Sequence, residues 1–267
     1  MIGAHPDDCE FCGGGTAVLL AKAGHRVKLL SVTNGDKGHM SYGPAQLAHI
    51  RRGEARAAAE ALGASWQVLG VPDCHAVPTV ALREKLVAVI REWKADVVIS
   101  HRSNDYHPDH RNTGLLVQDT AYLVVVPLFC RRVAALHANP VYLYFQDHFK
   151  SPELFRPDVI VPIDEVFGTK VEALNRMPSQ LHEWLPWVEG ELDKVPESIE
   201  GRRRFTEKFI RDRQEGLWRK QIASRYGRAA SSIRMVEAFQ LCEYGRQPSK
   251  KELESLFPGP KKKSTRT

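Results

Sequence analysis

The stretch MIGAHPDDCEFCGGGTAVLLAKAG, residues 1–24, decides how the rest of the chain is read. "MIGA" reads as the end of a buried strand that stops at His5, and "GGTAVLLAKAG" has helical spacing closed by Gly24. A strand, a short polar loop and a helix form the first unit of an alternating chain. The alternation then repeats. "RVKLLSVT" is a continuous apolar run with β-branched residues, as in a strand buried on both faces. "AQLAHIRRGEARAAAEALG" is an Ala-rich helix with Gly63 just past its end, and "WQVLGV" is a short strand. "VALREKLVAVIREWK" is an amphipathic helix with Val80, Leu82, Leu86, Val89 and Ile90 as its apolar positions, and "ADVVIS" is a further buried strand.

The order β-α-β-α-β-α-β predicts an α/β fold, a Rossmann-like and mainly parallel sheet with helices on both faces. Right-handed crossovers give a strand order beginning 3-2-1-4, with the chain reversing direction between strands 1 and 4. Ligands of such sheets bind at the carboxyl ends of those two strands. Two polar loops leave from there: "HPDDCE" after strand 1 and "HRSNDYHPDHRNTG" after strand 4. Strand 1 should be central, yet only four residues precede His5. Sequence upstream of Met1 is therefore expected to extend it, an expectation that an in-frame stop codon immediately before Met1 would contradict.

Beyond residue 115 the periodicity weakens. "NTGLLVQDTAYLVVV" looks helical, "VYLYF" and "DVIVPI" look like strands, and "DEVFGTKVEALNRM" looks like a helix. "GRRRFTEKFIRDRQEGLWRKQIASRYG" and "AASSIRMVEAFQLCEYG" read as two further helices, the latter placing Met235, Phe239 and Cys242 on one face. The expected organisation is a Rossmann-like catalytic domain over 1–185, a helical C-terminal extension over 186–258 packed on it, and a disordered basic tail over 259–267.

The totals exclude several function classes. Of 267 residues, 43% are apolar and 26% charged, the balance of a globular protein. No apolar run approaches the roughly 18 residues of a membrane span, and the start does not read as a signal peptide, so a cytoplasmic location is expected. The five cysteines are odd in number and scattered, which is no disulfide framework. The net charge of +6 comes with basic residues gathered in "GRRRFTEKFIRDR", a solvated helix face, and in the tail "PGPKKKSTRT". No nucleic-acid recognition motif accompanies them, so no nucleic-acid partner is expected.

Each of the two loops carries a pair of candidate metal ligands three residues apart, in His5-Pro6-Asp7-Asp8 and in His107-Pro108-Asp109-His110. In a tight turn that opens a helix, this spacing points both side chains the same way. Two histidines and a carboxylate suit zinc, with a fourth position left for a water made acidic by the ion. The same residue types do not select zinc uniquely, so another divalent metal fits as well. Taken singly, either tetrapeptide is equally an ordinary helix cap. It is their joint placement at the switch point that argues for a site.

These residues resemble a known family, the LmbE/PIG-L-like N-acetylglucosaminyl deacetylases. "AHPDDCEFCGGGT" is similar to the family's A-H-P-D-D-x-E with its Gly-rich turn, "HPDHR" to its second signature, and "RRGEARAAAEALG" to its R-x-x-E helix. The similarity covers residues 1 to about 180. It implies a zinc-dependent hydrolase that removes acetyl from an N-acetylated sugar or sugar conjugate, a small-molecule partner, in a protein compatible with a homo-oligomer. The resemblance implies that His5, Asp8 and His110 ligate the metal and that Asp7 is the general base. It implies that His107 stabilises the oxyanion and protonates the leaving amine. An amide needs those same parts: nucleophile, Lewis acid, oxyanion partner and a proton for nitrogen. Asp109, between the two histidines, is placed either to orient one of them or to cap the turn.

Arg51 and Asp73 match family positions that contact substrate. Arg51 could instead be an exposed helix residue paired with Glu54, and Asp73 a turn residue after Pro72. Asp36 to His39 are expected to rim the pocket, with His39 and His101 spare, either at the surface or behind the ligands. Met177 stands where many family members carry histidine. "LHEWLPWVEGEL" is either a sugar-stacking wall or packing for the extension. Two other readings remain: the same hydrolysis on another acylated amine or a thiol conjugate, and a nucleotide-binding Rossmann module. The latter lacks G-x-G-x-x-G, and carboxylates would repel its pyrophosphate. Cys9 and Cys12 lack the second pair that a structural zinc site needs and are expected to pack beneath the turn, with Glu10 bracing the loop and the glycines turning the backbone behind the site.

Overall fold

The computed structural model describes residues 1–257, so the expected basic tail over 259–267 lies outside the described residues. Seven strands form one sheet in the order β3-β2-β1-β4-β5-β7-β6. They are β1 (Ile2–Gly3), β2 (Lys28–Thr33), β3 (Ser65–Val71), β4 (Val97–Ser100), β5 (Val141–Phe145), β6 (Val159–Pro162) and β7 (Val236–Gly245). The first five run parallel, with the expected 3-2-1-4 order, and β7 is antiparallel to both β5 and β6.

Helices α1 (Asp8–Lys22), α2 (Pro44–Ala61), α3 (Val80–Trp93) and α4 (Pro108–Leu123) are the crossovers. Further on come α5 (Phe167–Asn175), α6 (Leu185–Val188), α7 (Ile199–Gln214), α8 (Arg219–Tyr226) and α9 (Lys250–Ser255). One core layer joins α1, α2, α5 and α7 to the sheet through Leu19, Ala58, Val171 and Ile210. The other joins α3 and α4 through Leu86, Ile90 and Leu116.

Two groups of expectations are corrected, the first in the C-terminal segment. "AASSIRMVEAFQLCEYG" is not a helix: Val236–Gly245 is a strand inserted between β5 and β6. The expected extension over 186–258 therefore is not wholly helical, since part of it completes the sheet. Met235 and Phe239 face the first core layer while Cys242 faces the second, so the strand is buried on both sides. A doubly buried strand shows no alternation, and periodicity cannot separate it from a buried helix. The expected long helix after Gly201 is broken at Gly216 into α7 and α8.

The second correction concerns the glycines. They lie inside α1, which already begins at Asp8, and do not form a turn. A Cβ on Gly15 would stand 2.8 Å from Ile163 Cγ2, and one on Gly13 2.7 Å from Met1 Sδ. Here α1 lies against a buried ion pair. Glu237 Oε1 and Oε2 accept from the N–H groups of Gly15 and Thr16 at 2.9 and 2.7 Å, and Lys170 Nζ donates to Glu237 Oε1 and to Phe11 O, both at 2.7 Å. Cys9 is buried, with its thiol directed at Leu30 O, and Cys12 packs at the edge of the core. Glu10 is buried with no partner for Oε1, and burial pushes its carboxyl up to about 8.

Candidate metal centre and active site

Strands β1 and β4 are paired through Ile2 and Ser100, so the loops that follow them emerge side by side. His5 and Asp8 straddle the start of α1, with Asp8 Oδ2 accepting from His5 N–H at 2.7 Å. His107 is the N-cap of α4, where Pro108 fills a first-turn position that needs no N–H donor. His107 Nδ1 accepts from Asp109 N–H at 3.1 Å. Gly114, one turn along α4, lets the helix approach the loop: a Cβ there would meet the carbonyl oxygens of Arg102 and His101 at 2.7 and 2.8 Å. Arg102 in turn grips both oxygens of Asp147 at 2.6 Å, which fixes the loop from its outer side.

The side chains of His5, Asp8 and His110 converge. His5 Nδ1 lies 3.2 Å from His110 Nε2 and 3.6 Å from Asp8 Oδ2, and His110 Nε2 lies 3.4 Å from Asp8 Oδ1. A tetrahedral ion with bonds of about 2.0–2.1 Å holds its ligand atoms about 3.3–3.4 Å apart. The donor set thus suits such an ion in its chemistry, and the His5–His110 spacing matches it; the two Asp8 distances are to different carboxylate oxygens, and donor atoms of His107 and His101 lie within 4.8 Å of members of the set. Behind each histidine stands a carboxylate. His5 Nε2 is 3.2 Å from Asp109 Oδ2, and His110 Nδ1 is 3.1 Å from Asp105 Oδ1. Asp109 is itself held by the N–H groups of Cys74 at 2.6 Å and Ala76 at 3.2 Å.

The charges show what the cluster favours. Burial works to lower the His5 pKa, yet hydrogen bonds to Asp109 and Asp8 carry it up to about 9. Against the same burial, Asp8 and Asp105 carry His110 up to about 10. Asp8 is held well below the usual carboxylate range: burial opposes this, and His110 and His101 outweigh it. The pocket is therefore strongly anionic and favours positive charge, whether two protons or one divalent cation.

Asp7 turns the other way. It is buried, and burial pushes its carboxyl up to about 6 although Arg51 acts to lower it. Arg51 donates to Asp7 Oδ2 at 3.0 Å and to Pro6 O at 2.8 Å. Arg51 is thus buried and engaged with Asp7, not exposed and paired with Glu54. Glu54 accepts from Ser179 N–H at 3.0 Å, tying α2 to the segment after α5. Asp73 accepts from Gly35 N–H at 2.9 Å and Lys37 N–H at 3.1 Å, so it holds the loop after β2. One of its oxygens also lies within 4.8 Å of donor atoms on His5 and Asp109.

That loop is clasped from the far side. His39 Nε2 is 2.8 Å from Glu183 Oε2, Gln180 donates to Gly38 O at 3.3 Å, and the Trp184 indole packs on Gly38. Trp184 stacks on Trp187 at 5.2 Å, and Met177 is fully buried in the core. His101, expected to be spare, is buried, stacked on His110 at 4.3 Å and 3.2 Å from Asp8 Oδ2. Sequence reasoning passed over Asp105 and Tyr106. The exposed Tyr106 ring stands edge-on to His107 and His110. Their one signal was position, within the polar loop directly before "HPDH".

A doubly wound α/β sheet with a His/Asp cluster at its switch point defines the class: an α/β protein whose candidate ligand site lies at the carboxyl ends of its central strands. The family profile "PIG-L: GlcNAc-PI de-N-acetylase" matches residues 1–121. Over 191 residues the chain is 30% identical to a Bacillus cereus protein named probable N-acetyl-alpha-D-glucosaminyl L-malate deacetylase 2, covering 67% of this chain and 82% of that one. Over 192 residues it is 28% identical to 4-oxalmesaconate hydratase of Pseudomonas putida, covering 69% and 74%. The fold matches N,N'-diacetylchitobiose deacetylase from Pyrococcus horikoshii with a TM-score of 0.68 and 25% identity, over 90% of this chain and 82% of that one. The chain belongs to the PIG-L family of enzymes. Among the described residues, no helix is long and apolar enough to cross a membrane.

Proposed function

We propose that this enzyme removes the acetyl group from an N-acetylated amino sugar or its conjugate, using a divalent metal held by His5, Asp8 and His110. The observation that carries this reading is the convergence of those three side chains within 3.6 Å, with Asp7 and His107 beside them in the same two turns. The deacetylase names of two relatives support the substrate class. When bound, zinc or a similar ion supplies Lewis acidity, polarising the acetyl carbonyl and making water a nucleophile near neutral pH.

The chain's own residues do the rest. Arg51 occupies Asp7 Oδ2, leaving Oδ1 to take a proton from the attacking water. Because His107 Nδ1 accepts from Asp109 N–H, the ring proton sits on Nε2. From there it hydrogen-bonds the developing oxyanion, and the proton that Asp7 took from water passes to the departing nitrogen as the C–N bond breaks. Acetate and a free amine leave. Asp109 serves both sides, orienting His5 with its carboxylate and His107 with its N–H. Asp73 and the loop it holds supply the wall against which sugar hydroxyls bind.

The similarity to a hydratase supports a second reading, addition of water to a C=C bond by the same cluster. A panel settles the choice: N-acetyl amino sugars and their conjugates, other acylated amines including thiol conjugates, and unsaturated carboxylic acids. Deacetylation predicts acetate and free amine in equal amounts. Loss of C=C absorbance with no amine from any amide would contradict it.

A further inference from the structure

A second donor set lies against the first. The Cys74 thiol, a ring nitrogen of His107 and a carboxylate oxygen of Asp109 lie within 4.8 Å of one another. Cys74 is in the turn after β3, and its N–H bond of 2.6 Å to Asp109 Oδ2 fixes that turn on the carboxylate. Its backbone is left-handed (φ 66°), a setting that favours glycine, and the residue is exposed to solvent. Sulfur, imidazole and carboxylate within bridging distance form a donor set for a thiophilic divalent ion with one position open. The first cluster has no sulfur, so the two sets differ in softness.

We propose that Cys74, His107 and Asp109 form a second, weaker site for a thiophilic divalent cation, and that filling it inhibits the enzyme. On binding, the Cys74 S–H proton passes to solvent and the sulfur lone pair goes to the metal, with no change of oxidation state. A neutral imidazole has a single free lone pair, which His107 uses for the Asp109 N–H. Ligation must take that lone pair, so the hydrogen bond is lost. This cost makes the second site weaker than the first. It also removes the Nε2 proton from its catalytic setting, while Asp109 is drawn from its contact with His5. Metal in excess of one equivalent is then an inhibitor specific to the thiol. The second site needs only the geometry; the inhibition rests on the role proposed above for His107.

The test is a titration of metal-free protein with Zn2+ by calorimetry and with Cd2+ by ultraviolet absorption. Wild type should bind two ions, the second more weakly and with a thiolate-to-cadmium charge-transfer band. Cys74→Ser and Cys74→Gly should keep the first event and lose both the second and the band. Glycine suits the left-handed backbone, so that variant guards against misfolding. His5→Ala should lose the first event yet keep the band. A single event in wild type, or a second event and band that survive both Cys74 variants, overturns the proposal. If the band behaves as expected while no amide is cleaved, the deacetylase reading fails and the second site stands.

Discussion

At the residue scale, the centre is set by groups one step behind it. His5 faces inward because Asp109 takes its outer nitrogen, and His110 because Asp105 takes its own. Asp105 also accepts from His107 N–H at 2.9 Å, so one oxygen fixes the turn and the ring together. Asp105→Ala should weaken metal affinity by about 10–100-fold, as loss of such a partner does elsewhere. Asp105→Asn, which keeps the acceptor oxygen, should lose less. Competition with a chelator of known affinity measures both, and equal affinities in all three proteins would contradict the assignment. The spacing of three residues paired His5 with Asp8 and His107 with His110, and the structure brings these four side chains together; the choice of His5, Asp8 and His110 among them came from the family resemblance. Asp105 was not, because its acceptor partners are fixed by the fold of a loop without periodicity. Arg51 was legible as important but not as the partner of Asp7, since the two are brought together only by the packing of α2 against the first turn.

At the element scale, α1 combines an active-site start with a densely packed middle. Gly15 and Gly14 differ there: a Cβ at 15 meets Ile163 at 2.8 Å, while one at 14 finds its nearest neighbour at 3.5 Å. Gly15→Ala should therefore destabilise by about 1–3 kcal/mol, the cost of overpacking. Gly14→Ala should be neutral or stabilising, since alanine favours helix by about 1 kcal/mol over glycine. Thermal unfolding of the two variants checks the ranking, and equal losses would contradict it.

The link between the π-helical turn Ser179–Trp184 and α7 should be pH-sensitive. His182 Nε2 lies 2.9 Å from Thr206 Oγ1, and burial, aided by Arg202, holds its pKa down to about 4. A histidine kept neutral by folding contributes stability above its unfolded pKa of about 6.5, and that stability is lost as pH falls toward 4. The advantage of wild type over His182→Gln in melting temperature should shrink between pH 7 and pH 4, a window set by those two values. A constant difference would show that His182 does not titrate there.

At the scale of the whole molecule, the first four strands and their crossovers followed from alternation and handedness, because each strand there is followed by a segment that reads as a helix. The far edge of the sheet did not. β7 returns from beyond residue 235 to lie between β5 and β6, and its side chains are divided among three core regions. Such a strand carries no period, and its place depends on pairings with residues far away in sequence. Arg91 is similar. From within α3 it caps carbonyls of Leu123, Val124, Val126, Phe129, Cys130 and Val133, closing a turn that no local pattern announces. The strands that carry the loops of the candidate site are thus the regular part of the sequence, and the strands that complete the sheet the least regular.

The proposed function divides labour within one turn: His5 would hold the metal and Asp7 would move the proton. The direct measurement is bound metal and acetate release on the same samples of wild type, Asp7→Ala and His5→Ala. Asp7→Ala should keep close to wild-type metal and lose about 10²–10⁴-fold in turnover, the usual worth of a general base. His5→Ala should lose both. Metal lost from Asp7→Ala as severely as from His5→Ala, or turnover retained by it, would contradict the account.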